Sequence, residues 1–188
     1  MTDPIAKAHR LLAPRIAYLV GTRDRDGTPN VIPVSNVTSV SIDPQHLLLA
    51  LYKQWRTYGT LLNTEGFTLS VPLIDHLQGV WKLGARYSRY PAVNPQEKLT
   101  VSGLSFDYDE SPYGPVLADG VGWIACRIIR LADFGGDHGL IVGQAQRAWF
   151  NREFLNLDGV PHVHVNPLMQ VTGNSFTTAG PLQQVPYY

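Results

Sequence analysis

Two short polar clusters in this chain could do chemistry. The first, KQWRTYGT at 53–60, brings Lys53 and Arg56 as cations and Thr57 and Thr60 as hydroxyls. It follows an apolar run and opens a helical pattern, so free backbone N–H groups of a helix N-terminus would stand beside the basic side chains. Such a combination can hold a phosphate monoester. A helix capped by Thr57, with its basic side chains solvated, is the plainer alternative, and the cluster alone does not separate the two. The second, PVSNVT at 33–38, couples a strand-breaking proline to the side chains of Ser35, Asn36 and Thr38. A bulged sheet edge of this kind offers backbone N–H and C=O groups to a planar heterocycle. An irregular edge strand that satisfies its own turns is the alternative there. Further on, GDHGLIVG at 136–143 places His138 where a strand begins. It could lie over a bound ring and orient a donor, or serve as an ordinary turn residue.

Other chemistries find no support. His162 and His164 in HVHV would share one strand face, but a third metal ligand is missing, and there is neither an HExxH motif nor a cysteine ligand set. No metal site is expected. The absence of GxSxG disfavours a serine hydrolase, and the absence of Walker and GxGxxG patterns disfavours a nucleoside triphosphatase or a Rossmann domain. Cys126, the single cysteine, lies in a strand pattern and reads as a small buried apolar residue. Fifteen basic residues balance fifteen acidic ones, which argues against nucleic acid or an anionic membrane as partner. The polar N-terminus has no signal-like apolar region and no apolar run nears the ~20 residues of a membrane span, so a cytoplasmic location is expected.

The elements that would position these clusters are mostly strands. At 188 residues, 44% hydrophobic and 16% charged, the chain can bury one good core. Seventeen glycines and fourteen prolines spread along it mark many turns. A short helix is expected over 3–12, then strands over 15–22, 31–36, 38–42, 47–52 and 67–71. Both faces of 15–22 are apolar, as in a barrel strand covered on each side. Pro33 assigns its strand to an edge or a bulge. Helices are expected over 57–63 and 73–83, and a third from Asn94 to Gly103, with Asn94 as cap and Pro95 at the first position. Long strands over 121–132 and 138–150 should pair, and the last forty residues should hold one or two edge strands. No repeat or linker divides 1–188, so one domain is expected.

The order and spacing of PRIAYLVGTRDRDGTPNVIPVSNVTSVSIDP, KQWRTYGTLLNTEGFTLSVP and GDHGLIVGQAQ resemble the flavin reductase-like proteins. These include flavoredoxin and the reductase components of two-component monooxygenases. The resemblance spans roughly 14–150. It implies a mainly β chain folded as an FMN-binding split β-barrel of Greek-key topology, usually a homodimer. It implies reduction of FMN or FAD by NADH or NADPH, with a monooxygenase or an electron-transfer protein as the partner to expect. An electron carrier that retains its FMN, or a non-catalytic cofactor-binding barrel, are the alternatives. By the same resemblance Val34, Ser35, Asn36 and Val37 would line the flavin ring, and Lys53, Arg56 and Thr57 would hold its phosphate. Arg86 and Ser88 would form a loop near the flavin, and His138 would serve the flavin and nicotinamide site. Asn36 and Trp55 depart from the family pattern, where an aromatic and a polar residue are usual.

Overall fold

Apolar alternation and a few prolines decide where the strands begin and end. The computed structural model describes residues 4–84 and 94–183. The short helix expected at the start is a 3-10 helix, Pro4–Leu12. Next come β1 (Arg15–Ile16) and β2 (Tyr18–Arg23), where the pattern predicts a single strand. The break falls at Ala17, whose N–H donates to the Leu168 carbonyl at 2.9 Å, so β1 turns towards the C-terminal segment. The chain continues through β3 (Pro29–Val34), β4 (Val37–Ile42), β5 (Gln45–Tyr52), α1 (Arg56–Leu61) and β6 (Gly66–Val71). A 3-10 turn, Ile74–His76, runs into α2 (Leu77–Leu83). Then follow α3 (Pro95–Ser102), β7 (Phe106–Asp107), β8 (Val116–Leu117), β9 (Gly122–Ala132), β10 (His138–Phe150), β11 (Met169–Thr172) and β12 (Ser175–Thr177). α3 starts as expected: the Asn94 side chain accepts from the Glu97 N–H at 2.8 Å, and Gly103 closes the helix in the left-handed region.

Seven antiparallel strands form the main sheet in the order β3-β2-β6-β9-β10-β5-β4. Its two edge strands, β3 and β4, are consecutive in the chain and joined only by Ser35 and Asn36. Laid flat, seven strands would span roughly 30 Å. Three Cα steps reach at most about 11 Å. The sheet therefore curls until its edges meet at Ser35–Asn36. β3 and β4 act as one bent strand: Val34 pairs with Tyr18 of β2, and Val37 with Leu49 of β5. Counted so, β2, the bent strand and β5 are consecutive neighbours, and β6 returns to lie beside β2. That is a Greek key. The architecture is mostly β and antiparallel, a split barrel. Pro33 sits on the sheet edge, as its missing N–H requires.

A small sheet, β1-β11-β12, packs beside the barrel, and β7 and β8 form a two-stranded ribbon. Two cores result. Val20, Leu49, Leu51, Phe67, Leu69 and Ile141 pack inside the curl. Ala17, Leu19, Val31, Leu83, Leu99 and Leu168 pack outside it, against α2, α3 and the C-terminal segment. β2 feeds both cores, which is why both its faces are apolar. Cys126 is buried in the inner core, and burial pushes its thiol up to about 12, so it stays protonated and inert. HVHV at 162–165 is not a strand. Pro161 and Pro167 bracket it, each making only an isolated bridge, and His162 and His164 are exposed. Among the described residues no group of His, Cys, Asp and Glu could hold a metal ion, and no helix is long and apolar enough to cross a membrane.

Candidate functional site

Where the curled sheet meets the small sheet and the three helices, a cavity of about 960 Å³ opens. The bend of β3 into β4 supplies one wall, from Ile32 to Asn36. Facing it, the small sheet presents a cross-strand row, since Arg15 pairs with Gln170 and Gln170 with Phe176. Ser35 Oγ donates to Gln170 Oε1 at 3.0 Å and ties the bend to that sheet. Trp81 of α2 meets Phe176 edge to face with ring centroids 6.1 Å apart, which makes this wall aromatic. Arg15 lines the cavity as well, with its Nε buried and unpaired among the described residues.

One end of the cavity is polar and cationic. Asn30, Arg56, Thr57 and Lys98 all line it. Lys98 Nζ donates to Asn30 Oδ1 at 2.9 Å, and Asn30 Nδ2 donates to Thr57 Oγ1 at 2.9 Å. The relay is buried: Lys98 is 8% exposed, Asn30 3% and Thr57 1%. Burial pushes the Lys98 ammonium down to about 8, and the Arg56 charge adds to the shift. Arg56 itself reaches Asp24, and Thr60 donates to the same carboxylate. Thr57 is not the helix cap. Trp55 takes that position in extended conformation with no side-chain cap bond, and Thr57 lies within the first turn, turned inwards to Asn30.

The cavity wall also carries an Asp–His pair. His138 Nδ1 lies 2.7 Å from Asp137 Oδ1, and that hydrogen bond is the leading cause holding the Asp137 carboxyl below its ordinary range. Tyr52, paired across the sheet with His138, brings its ring centroid to 5.8 Å from the imidazole. Trp55 stands edge-on to Tyr52 at 6.0 Å. α1 is pressed onto this corner by a close approach: a Cβ on Gly139 would come within 2.3 Å of the Tyr58 ring.

Of the site residues read from the sequence, the fold gathers Val34, Ser35, Asn36, Arg56, Thr57 and His138 around one cavity. Val37 and Lys53 are not among its lining residues. Lys53 instead pairs with Asp133 at 2.7 Å. Arg86 and Ser88 lie outside the described residues. Lys98, Asn30, Arg15 and Trp81 escape a reading of the sequence. Asn94 as helix cap places position 98 on the first turns of a helix, but which face of that helix is buried is set by α2 and β3.

Residues 10–173 match the family model described as the flavin reductase like domain. The chain belongs to the flavin reductase like family. Three solved structures share its fold. A split-barrel protein of Shewanella frigidimarina has a TM-score of 0.79 at 17% identity, covering 99% of this chain and 94% of that one. Flavoredoxin of Desulfovibrio vulgaris has a TM-score of 0.77 at 21% identity, covering 93% and 91%. The NADH:FAD oxidoreductase of Streptomyces globisporus, solved with NAD and FAD fragments, has a TM-score of 0.74 at 19% identity, covering 96% and 97%. Among curated sequences, the reductase component of the flavin-dependent trigonelline monooxygenase of Acinetobacter baylyi is 27% identical over 129 residues, 68% of this chain and 37% of that one.

Proposed function

We propose that this flavin reductase like protein is an NAD(P)H-dependent flavin reductase that binds FMN or FAD in the cavity and works as a homodimeric oxidoreductase. One observation carries the reading: an apolar, aromatic cavity of flavin size is lined by the buried cation Lys98 and the exposed cation Arg56. A flavin nucleotide has the matching shape, a large flat ring with polar edges joined to an anionic phosphate. The donor set fits it: Arg56 and Thr57 for the phosphate, the bend at Val34, Ser35 and Asn36 for the ring. When bound, the flavin supplies the redox chemistry, accepting a hydride from a reduced nicotinamide.

The chain's own residues bind, orient and exclude water. Arg56 keeps donors beyond the one that reaches Asp24, and a guanidinium suits phosphate oxygens. Trp55, Trp81 and Phe176 keep the ring environment dry, which strengthens every polar contact made there. The Asp137 carboxylate accepts from His138 Nδ1–H and fixes the tautomer, so Nε2 is the nitrogen left to meet a donor. No side chain need act as general acid or base. The likeness to the Acinetobacter reductase component supports a monooxygenase as consumer of the reduced flavin. The whole of 1–188 serves as one domain in this reading, in the cytoplasm.

The test is a visible spectrum of the purified protein with added FMN, before and after anaerobic NADH and then NADPH. Rapid bleaching of bound FMN is the expected result and names the donor. Bleaching only by dithionite would make the protein an electron carrier instead. Absence of FMN and FAD binding would overturn the flavin reading.

A further inference from the structure

We propose that Lys98 is the specificity-determining cation of this cavity, selecting a phosphorylated ligand over the same ligand without its phosphate. The identity of that ligand as FMN, in preference to riboflavin, rests on the flavin reading above.

Lysine is rarely this buried without a carboxylate beside it. Lys98 lines the cavity at 8% exposure, and among the described residues no Asp or Glu lies within ion-pair reach of it. Among the described residues its one hydrogen bond goes to the neutral Asn30 amide, whose own N–H is fixed on Thr57. An ammonium has three donors, so two are left for an occupant of the cavity. Of the elements packed on α3, β3 has no titratable side chain, α2 carries Lys82, and α1 beyond it supplies Arg56. The Arg56 charge bears on Lys98 unfavourably, and Glu97 on α3 itself does not reverse this. Such a group without an anion is an uncompensated buried charge, and its removal from water costs several kilocalories per mole in general.

Arg56 is already paired with Asp24, so among the described residues Lys98 is the cation of this pole that lacks an anion. A phosphate monoester carries ≈ −1.5 to −2 near neutral pH, enough to balance one ammonium. A phosphorylated ligand therefore supplies the counter-charge that the fold withholds from Lys98. Its arrival favours the ammonium form, so binding above pH 8 takes up a proton.

The test measures Kd for FMN and riboflavin, by flavin fluorescence, in the wild type and in Lys98→Met and Lys98→Arg. Loss of a charged hydrogen bond corresponds to about a 10- to 100-fold change in affinity. The expected result is a fall of that size in the FMN-to-riboflavin preference of Lys98→Met, riboflavin binding unchanged, and partial retention in Lys98→Arg. Calorimetry at pH 8.5 in buffers of different ionisation enthalpy should show proton uptake by the wild type and none by Lys98→Met. An unchanged preference, or equal weakening of FMN and riboflavin, would overturn the proposal. If no flavin binds the wild type, the flavin reading fails separately, and inorganic phosphate becomes the probe. Thermal stabilisation by phosphate that disappears in Lys98→Met would support the anion site. Equal stabilisation of both proteins, or of neither, would overturn it.

Discussion

Lys98 ties stability to pH in a direction that can be worked out. Its folded-state value of about 8 lies below the ordinary value of 10.5. Between those two values the unfolded chain binds the extra proton, so the free protein gains stability as pH rises through that window. Below about pH 8 both states hold the proton, and the full penalty persists, about 3 kcal/mol at 1.36 kcal/mol per pKa unit. Urea unfolding of the ligand-free protein from pH 7 to 10.5 should show this rise relative to Lys98→Met, which lacks the titrating group. Parallel pH profiles for the two proteins would mean that the ammonium is solvated in the folded state. Elsewhere on the cavity wall, His138→Ala should slow reduction by NAD(P)H by about tenfold, the scale of a lost orienting contact, with little change in FMN affinity. Equal effects on rate and affinity would make His138 a binding group, and no effect on either would make it structural.

α1 is a six-residue helix without a side-chain cap, so packing rather than propensity holds it in place. Tyr58 against Gly139 is the contact that matters most for the site. Gly139→Ala would drive a methyl into the Tyr58 ring and displace the helix that carries Arg56 and Thr57. FMN should bind roughly tenfold more weakly, with a stability loss of about 1–3 kcal/mol, the usual range for overpacking. Titration of FMN together with urea unfolding measures both, and unchanged affinity would show that α1 tolerates the shift. The elements themselves were largely legible in the sequence. Alternation marked the strands, Pro33 marked the edge, and Asn94 with Pro95 marked the start of α3, because each of these signals is local. Thr57 misled for the same reason. A hydroxyl at the head of a helix reads as a cap until Asn30, 27 residues earlier, is seen to hold it. HVHV alternates like a strand, but the flanking prolines leave it unpaired. Lys98 looked like any helical lysine, since nothing within its own helix says that Asn30 and Arg56 stand against it. The Arg15–Gln170 pairing joins residues at opposite ends of the chain, beyond the reach of any local pattern.

The cavity lies where two cores meet, and that placement bears on how the whole molecule unfolds. The inner core is closed by the bend at Ser35–Asn36, the outer by the C-terminal segment returning over β2, α2 and α3. Leu168 is the joint of the outer core. Its side chain is fully buried, its carbonyl accepts from Ala17 N–H, and its own N–H donates to the Pro72 carbonyl at 2.8 Å. β2 lends Leu19 to one core and Val20 to the other, so neither can loosen without disturbing a strand they share. The molecule should therefore unfold as one cooperative unit, with tryptophan fluorescence and far-UV circular dichroism giving coincident urea transitions. Trp81 reports on the outer layer through Phe176, and Trp123, buried in β9, reports on the barrel. Leu168→Ala removes a buried leucine and should cost about 2–5 kcal/mol, shifting both transitions together. Separate transitions, with only the fluorescence change moved by the substitution, would mean that the C-terminal segment and small sheet form an independent unit. The flavin site would then lie across a boundary between two folding units.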